Sequence, residues 1–166
     1  LDSWDLGTGA VDDAAGLGIT MSAAVHIAAL EQRPARSIRV LAFANEEQGL
    51  HGGNAYAEQH AGDVARHQLV AESDFGAGRI YGFATGAPAH AKAAEARIAE
   101  ALAPLGIEHL PGKGGPGPDV IGISRRGATW AWLGQDGSDY FDLHHTPDDT
   151  LDKIDPAALA QNAAAY

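Results

Sequence analysis

The sequence predicts an α/β fold with a largely parallel sheet, and three observations carry the prediction. Short apolar runs alternate with longer alanine-rich stretches of helical spacing, the order that builds strand–helix units. The run at 37–44 is apolar over most of its length, as expected of a strand covered on both faces. Two such runs are closed by acids, Glu46-Glu47 after the first and Asp74 at the end of 67–74. In open α/β sheets that edge is where ligands bind.

The elements follow in order. Gly7 and Gly9 make a loose approach loop, and Asp12-Asp13 precede Leu17, Met21, Val25, Ala28 and Ala29 at helical spacing. That pattern predicts a helix over 14–32, which Pro34 forbids from continuing. A strand at 37–44 comes next, then an alanine-rich helix near 53–61, a strand at 67–74 and a short strand at 79–84. Ala, Lys, Glu and Arg dominate 90–102, which reads as helix. Residues 111–118 contain only Gly, Pro and one Lys and form a loop within the domain. Asp119 is placed to cap a short helix carrying Val120 and Ile123. A strand at 128–133 carries Trp130 and Trp132 on one face, as core residues, and His26 reads as structural within its apolar helix. Residues 134–151 are irregular, and a last helix starts near Asp155-Pro156.

Composition narrows the function. The chain has 166 residues and 45% apolar content, enough for one domain with a core, taken as 1–166. Acids outnumber bases 22 to 11, a net charge of −11, which disfavours nucleic acid and suits a site holding cations. There is no cysteine, so disulfides, thiolate zinc sites and a cysteine nucleophile are excluded. No apolar run approaches the length of a membrane span. The chain opens without a methionine or basic leader and closes inside a helical pattern, so both ends are expected to be cut.

Each acid has a plain reading by itself. Glu46-Glu47 suits a solvated helix start, Asp12 a helix N-cap and Asp74 a turn before Gly76. His144-His145 suits a polar loop. Chemistry is favoured by coincidence, because separate elements deliver carboxylate or imidazole groups to one edge of a sheet. Such donors without thiolate suit catalytic Zn²⁺, or Mn²⁺ or Co²⁺ less selectively.

In this order, Asp-Ser-Trp, Gly-Ala-Val-Asp-Asp-Ala-Ala-Gly, Asn-Glu-Glu-Gln-Gly, Glu-Ser-Asp and His-His-Thr-Pro-Asp-Asp-Thr resemble the co-catalytic dizinc exopeptidases. That family includes the bacterial zinc aminopeptidases, glutamate carboxypeptidase II and the carboxypeptidase Q-like enzymes, which match best. The resemblance covers nearly the whole chain. It implies a three-layer α/β/α sandwich with a mostly parallel mixed sheet, whose N-terminal strands are missing here. It also implies two Zn²⁺ ions about 3.5–4 Å apart holding a bridging water. Asp12 matches the aspartate that bridges them, Glu47 and His145 ligands of one zinc, and Asp74 a ligand of the other. Glu46 matches the general base that takes the water's proton, and His144 is the ligand's neighbour. The peptide after the bridging aspartate, here Asp12-Asp13, is implied to be cis.

Asp2 matches the aspartate that supports a zinc-ligating histidine, and that histidine would precede Leu1. The expectation is therefore that the full-length enzyme holds two zinc ions, whereas this chain holds one or none and is inactive. Asp119 matches a residue leading into a substrate-proximal helix. The implied reaction is hydrolysis at a peptide terminus or in dipeptides, with a peptide or dipeptide substrate, no nucleic acid or membrane as partner, and an exported location; the oligomeric state stays open. The alternatives within the fold are a single-zinc glutaminyl cyclase and a non-catalytic domain like the transferrin receptor ectodomain.

Overall fold

The structure is a computed structural model and describes Ser3, Trp4 and residues 6–166. Asp2 lies outside the described residues. The helices are α1 (Ala15–Ala28), α2 (His51–Gln59), α3 (Lys92–Leu102), α4 (Ile121–Arg125), α5 (Tyr140–Leu143) and α6 (Pro156–Ala165). The strands are β1 (Val70–Ala71), β2 (Ile80–Thr85), β3 (Glu108–His109) and β4 (Trp130–Gln135). They form one sheet in the order β1-β4-β2-β3. The outer pairs, β1 with β4 and β2 with β3, are parallel, and β2 runs antiparallel to β4 with Phe83 opposite Leu133. The architecture is an α/β sandwich with a mixed, mostly parallel sheet.

Two apolar clusters hold the helices on the sheet. Ile80, Phe83 and Ala131 pack with Leu102 and Ile107, with Ile98 of α3 and Ala165 of α6 against them. Ala57 of α2 packs with Val120, Ile123 and Ala128, joined by Phe43 and Val70. Helix α6 is fastened by amides as well as by apolar contact. Gln161 spans the backbone of Ile80, accepting from its N–H at 2.9 Å and donating to its oxygen at 2.8 Å. Asn162, fully buried, donates to the Gly78 oxygen at 2.9 Å and accepts from Gln135 at 2.8 Å. Helix α6 starts where expected, and Asp155 caps it, accepting from the N–H groups of Ala157 and Ala158, with Pro156 in the first turn.

Several expectations are corrected. Residues 37–44 are extended but join no ladder among the described residues. A trough of about 990 Å³ separates them from β1, so their backbone has no neighbouring strand, and Ile38 is 53% exposed. The segment is held to α2 instead: the Arg39 guanidinium donates to the Tyr56 hydroxyl at 3.0 Å, Phe43 joins the α2–α4 cluster, and the Gly52 N–H donates to the Ala44 oxygen at 3.0 Å. For the same reason the strand at 67–74 shrinks to the two residues that pair with β4. Helix α1 stops at Ala28 and buries Ala15, Ile19 and Ala23, whereas Met21, Val25 and His26 are exposed. The expected apolar stripe of Leu17, Met21 and Val25 thus lies two positions from the buried one, on the opposite side of the helix, and α1 packs on α6. Trp130 and Trp132 are half-buried and lie over Gly86, Gly82 and Gly114, while Ala131 between them enters the core. Strand β3 follows a turn at Gly106 and has too little apolar pattern to be read from sequence.

Candidate metal centre

Four connections converge at the carboxyl end of β1. The first is the turn before α1, where Asp12 and Asp13 have non-helical dihedrals and the peptide between them is cis. Asp13 Oδ1 accepts from the Gly16 N–H at 2.9 Å, so Asp13 closes the first turn of α1 and Asp12 is not its cap. The second is the turn after the extended segment, entered through Asn45 and left through Leu50, both in the left-handed region. The Glu46 oxygen accepts there from the N–H groups of Gly49 and Leu50. The third is the end of β1 itself, leading to Asp74. The fourth is the end of α5, where His145 is also left-handed, at φ 59°.

His145 Nε2 lies 3.0 Å from Asp12 Oδ2, 3.0 Å from Glu47 Oε2 and 3.2 Å from Glu47 Oε1. One ligand atom from each of the three residues falls within 4.8 Å of the others. Asp12 is 7% exposed, and the Trp4 indole N–H donates to Glu47 Oε2 at 2.7 Å with its ring 5.3 Å from that of His145. Asp12, Glu46, Glu47 and Asp74 all line the trough, together with Asp13, Glu72 and Asp119.

This concentration of carboxylates perturbs them. Burial, reinforced by the charges of Asp13, Glu72, Asp12 and Glu46, pushes Asp74 up to about 9. Burial raises Asp13 to about 8 despite its hydrogen bond from Gly16, and Glu72 to about 7 despite one from Val120. Asp12 is also raised, by burial and then by Glu47. The charges of His145 and His144 pull Asp12 down without offsetting its burial. A divalent ion would relieve the crowding. The donor set fits one: an imidazole nitrogen with a single N–H faces three carboxylate oxygens, more acceptors than it can serve. Two carboxylates and an imidazole without thiolate match a catalytic zinc site.

The structure thus brings together Asp12, Glu47 and His145, with Glu46 and Asp74 beside them on the same trough. Asp119 borders the trough but does not cap α4, whose cap position is Val120 with no side-chain cap bond. His144 turns away and stacks on Tyr140, ring centroids 4.7 Å apart. Residue reading missed Trp4, Tyr140 and Asp149 as neighbours of the site. Trp4 lay within a quoted motif, but nothing in a sequence marks an indole as donor to a carboxylate 43 positions away.

The model of peptidase family M28 matches residues 1–166. The chain belongs to peptidase family M28. It is 36% identical to carboxypeptidase Q of Xenopus laevis and 34% identical to that of Homo sapiens, each over the whole chain and 35% of the relative. It therefore spans about a third of the length of these curated relatives. The crystal structure of a peptidase M28 precursor from Shewanella amazonensis is similar with a TM-score of 0.96 and 50% identity, over 99% of this chain and 37% of that one. M28 membership agrees with the resemblance read from the motifs. Among the described residues no helix is long and apolar enough to cross a membrane.

Proposed function

We propose that the full-length protein is a zinc-dependent exopeptidase that hydrolyses peptide bonds at a peptide terminus or in dipeptides. The observation that carries this reading is the meeting of Asp12, Glu47 and His145 beside Glu46 and Asp74. Asp12, Glu47 and His145 would hold one Zn²⁺, and Asp12 and Asp74 would contribute to a second. Zinc bound there supplies Lewis-acid polarisation of the scissile carbonyl and lowers the pKa of the attacking water.

The protein's own groups do the rest. Glu46 accepts the proton of the attacking water and returns it to the leaving amine, a role open to it because Glu47 takes the ligand position. The Trp4 indole N–H, donating to Glu47 Oε2, fixes the orientation of that carboxylate. Asp119, bordering the same trough, is placed to contact substrate. The net charge of −11 suits a cation centre and a peptide substrate, with no nucleic acid or membrane as partner. We place the protein outside the cytoplasm, periplasmic or secreted, in line with the description of its Shewanella relative as a precursor.

The test is peptidase activity of the full-length protein on dipeptides and on terminally blocked peptides. The reading requires activity that a chelator abolishes and Zn²⁺ restores. Activity indifferent to chelation, or cleavage only at internal bonds, contradicts it.

A further inference from the structure

One segment makes two independent grips on Asp12 and carries His145 as well. Asp149, four residues beyond His145, is 4% exposed. Its carboxylate accepts from the backbone N–H of Val11 at 2.6 Å and from that of Asp12 at 3.2 Å. Its main-chain oxygen accepts from the Thr8 N–H at 2.8 Å and the Thr8 hydroxyl at 3.0 Å. Gly7 makes this approach possible, since a Cβ there would lie 2.8 Å from the Asp149 oxygen and 2.7 Å from that of Thr146. Tyr140, five residues before His145, supplies the second grip: its side chain hydrogen-bonds the Asp12 carboxyl group. Its ring is held between Phe75 and His144, at 4.5 and 4.7 Å.

Resting on the reading of Asp12, Glu47 and His145 as metal ligands, we propose that Tyr140 and Asp149 are positioning residues for the centre. Asp149 fixes the backbone at Asp12 and Tyr140 fixes its carboxylate, so that Asp12 and His145 reach the metal as one rigid unit. A tie serving only the fold would have no reason to engage the Asp12 side chain as well as its main chain. The sheet does not set the Asp12–His145 distance, because both residues lie in turns outside the ladders. The segment between Tyr140 and Asp149 sets it.

The experiment uses the full-length protein and Co²⁺ as probe, with affinity measured against a competing chelator and geometry read from the visible absorption spectrum. Tyr140→Phe removes one hydroxyl and keeps the stacked ring, and Asp149→Asn removes one of two acceptor oxygens. Each variant is expected to bind Co²⁺ about 10–100-fold more weakly, as removal of a ligand's supporting partner does. Each should also show an altered spectrum at unchanged far-ultraviolet dichroism. Should Asp149→Asn fail to fold, Tyr140→Phe alone decides. His145→Ala separates the two levels of the claim: Co²⁺ binding that survives it overturns the ligand assignment and this proposal with it. Co²⁺ binding lost in His145→Ala, but of wild-type affinity and spectrum in both Tyr140→Phe and Asp149→Asn, overturns the positioning role alone.

Discussion

Gly16 backs directly onto the main chain of Ser73: a Cβ at Gly16 would lie 1.9 Å from the Ser73 oxygen. That approach brings the start of α1, with Asp12 and Asp13 before it, against the end of β1, with Asp74 after it. Two acids 62 positions apart in sequence come to share a site because one residue has no side chain.

Gly16→Ala is therefore expected to push α1 off β1. Overpacking of this kind costs about 1–3 kcal/mol, readable in chemical denaturation of the metal-free protein. Zinc affinity should fall with it, as Asp12 and Asp74 move apart. Unchanged stability together with unchanged affinity would show that the contact does not assemble the site.

Glu46→Gln keeps the size of the side chain and one acceptor oxygen but cannot take a proton at neutral pH. Loss of a general base lowers turnover by about 10²–10⁴-fold, and zinc content by metal analysis should stay at the wild-type level. Parallel loss of zinc and activity would make Glu46 a ligand instead.

Zinc binding is expected to strengthen with pH and to release protons. Asp74 is raised to about 9 and Asp13 to about 8 in the metal-free protein, so both hold protons at pH 7. An acid raised in the folded state binds more protons there than when unfolded, from its ordinary value near 4 up to its folded value. Stability of the metal-free protein should accordingly fall as pH rises from about 4 to about 9. A zinc ion must displace the Asp74 proton, so affinity climbs over the same window. Calorimetry in two buffers of different ionisation enthalpy measures the release, and a buffer-independent heat would refute it.

Asn162→Ala removes a fully buried amide that donates to Gly78 and accepts from Gln135. Leaving such groups unpaired costs about 1–3 kcal/mol each. The variant should melt earlier while zinc affinity changes little, because the amide holds α6 to the sheet rather than a ligand. A loss of zinc affinity larger than the loss of stability would place Asn162 in the support of the site.

Much of this was legible in the sequence, and what was not has physical causes. The α/β class, the start of α6 near Asp155-Pro156 and the gathering of acids at one edge followed from periodicity, turn chemistry and motif order. The segment 37–44 has the composition of a buried strand, but a strand exists only where another backbone pairs with it, and composition cannot say whether one does. The buried face of α1 was misjudged because it carries Ala15, Gly16, Ile19 and Ala23, mostly small residues that weigh little in an apolar pattern, while the larger Met21 and Val25 face outward. In the site, the side chains that meet, Asp12, Glu47 and His145, were readable residue by residue. Their partners were not, since the bonds from Trp4 to Glu47 and from Val11 to Asp149 join positions far apart in sequence.

The central claim is that Asp12, Glu47 and His145 hold one metal ion. Anomalous diffraction at the zinc edge, from crystals of the zinc-loaded full-length protein, tests it most directly. The account predicts a strong peak within bonding distance of a carboxylate oxygen of Asp12, a carboxylate oxygen of Glu47 and a ring nitrogen of His145. Strong zinc peaks elsewhere, with His145 still hydrogen-bonded to Asp12 and Glu47, would contradict it.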